Sequence, residues 1–429
     1  MLYLTKKLNF NLAELIIISF PLLFLSGPFL TDLAVIIIDL IFLKKIYRSE
    51  INLYIDKKII YFSLFFFGTL IVSALNSSDV SFYLIETLPL IRFILFPIAI
   101  CHFLNEKISN VFINIILIIF FFLFLDVVFQ ILNGQNIFGY DFVGGRPTSV
   151  FKDEQILGSY VLRNLIIAIP IFFIASNKIN RKILIIILIS TILIILSKER
   201  VPTFYLLLYL LIIFFNIYLF TNKKKILIFK TIIFSFFVMI FLYFLDGPQL
   251  KKRFDHTVNA FLDKELPFNQ NTYLKNSEKT FQNFYVFSAE HENYILTSFN
   301  IFKSNFLTGT GVKSFRHMCK KDVYKINKRS CNTHPHNTFV QLLTEVGILG
   351  TIPIFLVLIF SLIHFVKIFS KSFFGKKTNF NNIYFITPTL ISLFPFVPSG
   401  NIFNNYLASY YAFSVGIFLY YMIGDGKTE

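Results

Sequence analysis

The stretch THPHNTFVQLLTEVGILGT, residues 333–351, places two histidines, a proline and an asparagine at the entry to an apolar run. The run continues through IPIFLVLIFSLIHF, residues 352–365, and fades near residue 368. It exceeds the roughly 20 residues that an α-helix needs to cross a bilayer core. A polar lip on a membrane helix is the local pattern, and the rest of the chain repeats its apolar part.

Hydrophobic residues make up 55% of the chain and the mean hydropathy is +0.68. Apolar segments recur near 10–27, 29–44, 58–76, 83–104, 111–133, 155–176, 183–197, 201–221, 226–246, 337–368, 383–398 and 404–423. The expected fold is therefore an all-α polytopic membrane protein with about twelve transmembrane helices. The first apolar run is followed at once by a second, so it reads as a span and not as a cleaved signal peptide.

The formal net charge of +16 could point to nucleic acid. The charges instead fall in short clusters between spans: Lys6 and Lys7, Lys44 to Lys58, Lys107, Lys178 to Lys182, Lys223 to Lys225, and Lys371 to Lys377. Every cluster lands on the same side of the alternating spans. That is the positive-inside pattern, it puts both termini in the cytoplasm, and no nucleic-acid partner is expected.

This topology divides the chain into spans one to nine (1–246), one large external loop (247–336) and spans ten to twelve (337–429). In the loop, basic residues outnumber acidic ones. A solvated surface accounts for this, and so does an anionic ligand such as phosphate at the outer leaflet. The loop also holds His256, His291, His317, His334 and His336. Cys101 lies inside span four, whereas Cys319 and Cys331 lie in the loop. In an oxidising compartment the latter pair can form a disulfide. The alternative is a zinc site with His317, His334 or His336, but the spacing fits no standard zinc pattern, and no metal is expected.

His336-Asn337, nine residues, Gly347, two residues, then Gly350-Thr351 resembles the signature of bacterial O-antigen ligases and their polymerase relatives. LSKERVPTF (196–204) resembles the family's Ser-x-x-Arg segment, with Arg200 on its arginine. GGRPTSVFKDEQILGSYVL (144–162) resembles the first external loop, with Arg146 as the matching basic residue. FLTGTGVKSF (306–315) resembles a Gly-x-Gly segment late in the large loop. Relatives often carry an arginine about eighteen residues before that segment. Here the position falls near His291, so Arg316 is a candidate to replace the contact.

The resemblance implies a GT-C-like inner-membrane enzyme with its active site facing the periplasm. Its donor would be a polyprenyl-pyrophosphate-linked glycan and its acceptor a lipid A–core sugar, or, in a polymerase, another carrier-linked glycan. Membrane lipids would be its other partners, and no cofactor is implied. Close alternatives are an O-antigen or exopolysaccharide polymerase and, more distantly, a protein O-oligosaccharyltransferase. A transporter is disfavoured, because no two-half repeat is evident and the polar residues gather on one side.

The chemistry asks for the same residues. An acceptor hydroxyl attacking an anomeric carbon must lose a proton, which a neutral histidine with an ordinary pKa near ~6.5 can take. Pyrophosphate leaves as an anion and needs no general acid, unlike the alcohol of glycoside hydrolysis. Fixed cations must meet its charge, and arginine offers a planar donor fork. His336 is thus the expected base, with Arg200, Arg146 and Arg316 on the pyrophosphate. His334 and His291 are expected to support it. Asn337 is suited to cap the helix, and Gly347 and Gly350 to allow close helix packing. Glu345 lies about two turns into the membrane, where an ionisable group is usually functional or paired, with Arg163 or Arg92 as candidate partners. Glu86 is the expected partner of Arg92.

Overall fold

The computed structural model describes residues 10–50, 56–176, 180–219, 230, 232–237, 289–374 and 381–425. Among these the chain is mostly helical. Its helices are α1 (Leu12–Ser26), α2 (Pro28–Tyr47), α3 (Lys57–Leu75), α4 (Val80–Thr87), α5 (Ile91–Phe103), α6 (Glu106–Asn133), α7 (Leu157–Ala175) and α8 (Arg181–Leu196). They continue as α9 (Arg200–Leu219), α10 (Ala289–Ser304), α11 (Phe315–Met318), α12 (Thr338–Phe373), α13 (Asn382–Ser392) and α14 (Asn405–Asp425). No strand forms among the described residues; two isolated antiparallel bridges, Gln135–Asp141 and Val143–Arg146, shape the loop after α6. The expected span 226–246 is described only at 230 and 232–237, and the loop segment 247–288 lies outside the described residues.

Among the described residues, six helical stretches are long and apolar enough to cross a membrane: Lys57–Leu75, Val80–Phe103, Glu106–Asn133, Leu157–Ala175, Thr338–Lys371 and Asn405–Ile423. Their outer faces carry exposed Leu64, Phe65, Ile118, Phe121, Leu125, Phe360 and Ile363. A surface that apolar is matched to lipid, not water. Inside, α5 packs on α14, α6 contacts α1, α7 and α8, and α12 is flanked by α3, α10 and α13. Tyr160, Phe20, Phe24, Phe96, Phe112 and Phe413 fill the centre of this bundle.

Side-chain caps start many of the helices. Asn11 and Glu14 form a reciprocal capping box on α1, and Asn105, Asp79 and Asn180 cap α6, α4 and α8. The expected span 383–398 is shorter than its apolar run. α13 stops at Ser392; Pro395 and Pro398 remove two backbone donors and disfavour helix in the residues before them, and 393–404 becomes a loop over the cavity described below.

α12 is not one straight helix. Gly347 has φ 64° and ψ −168°, and the helix breaks there. The segment 306–311 seats in the break. Phe306 and Leu307 carbonyls accept from Ile348 and Leu349 N–H at 2.9 and 3.1 Å, and Gly311 N–H donates to the Glu345 carbonyl at 2.9 Å. Thus Gly347 does not serve helix–helix packing as expected. It supplies a left-handed backbone position and room for an incoming loop. Gly350 does face a neighbouring helix: a Cβ there would lie 3.6 Å from Thr69 Oγ1 on α3.

Candidate active site

One cavity of about 1160 Å³ opens at the end of the bundle where α2, α7, α9 and α12 begin. It exceeds the ~300–1,000 Å³ of most small-ligand pockets. His336, His334, His291, Arg200, Arg146 and Arg316 all line it, brought together from five separate parts of the chain. Lys152, Glu199, Glu290, Tyr205 and Tyr406, none of them singled out in the sequence, line it too, and so does Arg163. Arg163 carried a signal, as a cation inside an apolar helix. It was read as a partner for Glu345, but its guanidinium lies 5.6 Å from the Tyr410 ring centroid, at the cavity wall.

The loop 134–156 presents Arg146. It is tied to α6 by two buried polar residues. Asp126 accepts from Ile137 N–H at 3.0 Å and bonds the Ser149 hydroxyl. Gln130 donates to Tyr140 O at 3.0 Å and accepts from Ser149 N–H at 3.0 Å. Arg200 opens α9 directly after Glu199, whose carboxylate accepts from Gly158 N–H (2.6 Å) and from Ser159 N–H (3.2 Å) and Oγ (2.7 Å) at the start of α7. A side chain at Gly158 would collide with Ser197, so glycine lets the two helix starts meet. Burial pushes the Glu199 carboxyl pKa up, opposed by these hydrogen bonds and by Arg146.

The histidine segment is held on three sides. Asn337 Oδ1 caps α12, accepting from Phe339 and Val340 N–H at 3.1 Å each, and its Nδ2 donates to Pro395 O at 2.7 Å. His336 has a left-handed backbone, φ 59°, and its carbonyl accepts from Ser399 N–H at 2.8 Å. Buried His334 sits with Nδ1 3.0 Å from Thr333 Oγ1 and Nε2 3.3 Å from Ser399 O. Because a carbonyl only accepts, His334 carries its proton on Nε2. Its ring lies 4.1 Å from that of His336, and the His336 ring lies 5.4 and 5.6 Å from those of His291 and Tyr294.

Such crowding disfavours protons. Burial, then His336, pushes the His334 pKa down to about 3. Burial, then His291, pushes that of His336 down to about 4. Burial and Arg200 lower that of His291. The expectation of an ordinary imidazole at His336 is therefore revised. The ring is neutral at physiological pH and weakly basic until an anion enters.

Glu345 is fully buried and meets neither Arg163 nor Arg92 in an ion pair. Its carboxylate accepts from Lys313 N–H (2.9 Å), Phe315 N–H (3.2 Å) and Gln341 Nε2 (2.9 Å). It thereby clamps the backbone leading into Arg316, whose Nε is buried and meets no hydrogen-bond partner among the described residues. Arg92 pairs with Asp32 through two contacts of 2.6 and 3.1 Å, while Glu86 pairs with Lys313 at 2.7 Å. The expected Arg92–Glu86 pair does not form. Cys319 and Cys331 are joined as a disulfide, Cα–Cα 5.2 Å, directly before Asn332.

The arrangement joins a neutral imidazole to a cluster of guanidinium groups, a site suited to deprotonating a hydroxyl beside a bound anion. No curated protein matches the chain. Residues 183–355 match the family model described as O-antigen ligase, a segment that contains Arg200, His291, Arg316, His334 and His336. Over that segment, and not over the whole chain, the protein is similar to the O-antigen ligase family.

Proposed function

We propose that the protein is an inner-membrane glycan transferase of the O-antigen ligase type, acting on a polyprenyl-pyrophosphate-linked donor. The observation that carries this proposal is the convergence of His336 with Arg146, Arg163, Arg200 and Arg316 on one cavity. The cavity would face the periplasm. Lys44, Lys45, Arg48, Lys57, Lys107, Arg181 and Lys182 lie at helix ends opposite to it, as the positive-inside rule asks of cytoplasmic ends.

In the reaction proposed, the acceptor hydroxyl oxygen forms a bond to the donor's anomeric carbon from the face opposite the leaving group. Its proton passes to His336. The anomeric C–O bond breaks, and the electron pair leaves with the pyrophosphate, whose charge is met by the arginines. Such displacement inverts the anomeric centre. Binding of the anionic donor raises the proton affinity of His336, so the base strengthens once the donor is in place. A lipid A–core sugar is the acceptor favoured by the family match; a carrier-linked glycan is the second reading, as both reactions use the same donor site.

A deletion strain tests the choice. Loss of all core-linked glycan with carrier-linked polymer retained supports the ligase. Core capped with a single repeat unit would instead make the protein a polymerase.

A further inference from the structure

Asn332 touches the His336 ring directly. Asn332 Nδ2 lies 3.0 Å from His336 Nε2. Its orientation is set by its own neighbour, since Thr333 N–H donates to Asn332 Oδ1 at 2.7 Å and an N–H can only donate. The amide N–H of Asn332 is therefore turned toward the ring. A donor facing Nε2 requires an unprotonated nitrogen there, so the His336 proton sits on Nδ1. Asn332 is itself anchored, because the preceding residue, Cys331, is bonded to Cys319, which is buried in a small core with Tyr294, Ile301, Phe315 and Met318.

We propose that Asn332 is a positioning residue that fixes the tautomer of His336 and occupies its basic nitrogen until the acceptor hydroxyl takes its place. The inference rests on His336 being the base. Nε2 is the nitrogen presented for proton transfer, and Nδ1 keeps its proton throughout. In the resting enzyme the lone pair is engaged by an amide and not by water, which suppresses hydrolysis of a bound donor. An acceptor hydroxyl replaces the amide N–H by donating to the same lone pair, and then gives up its proton along that line.

The test has two parts. Nitrogen-15 spectra of histidine-labelled resting enzyme, with the His336 signal identified by its loss in His336→Gln, are expected to show a protonated Nδ1 and an unprotonated Nε2. This readout needs no turnover. The second part is the pH profile of transfer. Around His336 stand His334 on its own segment, Glu290, His291 and Tyr294 on α10, Arg200 on α9, Arg316 on α11, and Arg146 and Lys152 from the loop after α6. The 393–404 loop contributes no titratable side chain. Asn332→Asp adds the one new carboxylate against Nε2. It stabilises the imidazolium and is expected to move the acid limb upward by about one unit or more. Asn332→Ala is expected to lower kcat by about ten- to a hundredfold with donor KM little changed, and to raise donor hydrolysis relative to transfer. A loss of folding alone would not move the limb in Asn332→Asp. An Nε2–H tautomer in the resting enzyme, with His336→Ala inactive, would overturn the role of Asn332 and leave the base in place. A fully active His336→Ala enzyme would remove the base and the role of Asn332 together.

Discussion

Replacing Gly347 by alanine should unseat the loop that closes the break in α12. At φ 64° and ψ −168° the backbone is in a region nearly closed to residues with a Cβ. A Cβ would also lie 2.5 Å from the Leu307 carbonyl carbon and 2.6 Å from Gly309 N, both backbone atoms that cannot swing aside. The conformational strain costs ~1–3 kcal/mol. Displacing 306–311 also breaks the bonds from Ile348 and Leu349 N–H, each worth ~0.5–1.5 kcal/mol. The sum is about 2–6 kcal/mol. Because the same segment leads through Lys313 and Phe315 to Arg316, activity should fall with stability. The assay is unfolding of purified protein in detergent, with Gly68→Ala as the control. Gly68 is on α3 with ordinary backbone angles and nothing near its missing Cβ, so alanine there should be neutral or add up to ~1 kcal/mol. A Gly347→Ala protein as stable as wild type would show that α12 runs straight and that 306–311 does not seat in it.

Arg200→Lys should lower donor turnover by about ten- to a hundredfold, since lysine keeps the charge and loses the bidentate fork; unchanged donor kinetics would remove Arg200 from the pyrophosphate. The acid limb of kcat/KM should lie near the pKa of about 4 that burial and His291 give His336 in the empty cavity, and that of kcat should lie higher once the anionic donor is bound. Because the folded pKa is lowered, the unfolded chain binds the extra proton. The His336 contribution therefore destabilises the fold as pH drops from about 6.5 toward 4, and does nothing above that window. A kcat/KM limb near pH 6.5 would contradict the burial of the imidazole. Replacing Cys319 and Cys331 by serine should cost about 3 kcal/mol in the chain-entropy model for a loop of this length, and should lower kcat through a looser Asn332–His336 segment. Thermal unfolding and transfer rates of the double variant check both.

The apolar runs were legible because each must satisfy its own backbone in lipid, which leaves helix as the local solution. Of the helix caps only Asn337 was expected from the sequence; Asn11, Asp79, Asn105 and Asn180 cap by the same local geometry. The candidate site was legible as a list, since His336, Arg200 and Arg146 stand in recognisable short patterns. Their convergence was not. Asp32 and Arg92 are sixty positions apart, and nothing local distinguishes Asp32 from Glu86 as the partner. Glu345 was read as needing a cation, whereas it is held mainly by backbone N–H groups of residues 313 and 315, which every sequence contains. The break at Gly347 was hidden for the same reason: a glycine in an apolar helix shows small size, and only the approach of Leu307 shows why its backbone angle matters. The 393–404 loop was missed because Phe394, Phe396 and Val397 kept the hydropathy high across Pro395 and Pro398.

If His336 takes the acceptor proton in a cavity whose arginines hold the pyrophosphate, removing the imidazole must stop transfer and spare donor binding. The most direct measurement is glycan transfer by purified His336→Ala enzyme, alongside binding of the polyprenyl-pyrophosphate donor to the same preparation. Transfer should fall by at least about a hundredfold, within the usual range for loss of a general base, with donor affinity within severalfold of wild type. Transfer at the wild-type rate would contradict it.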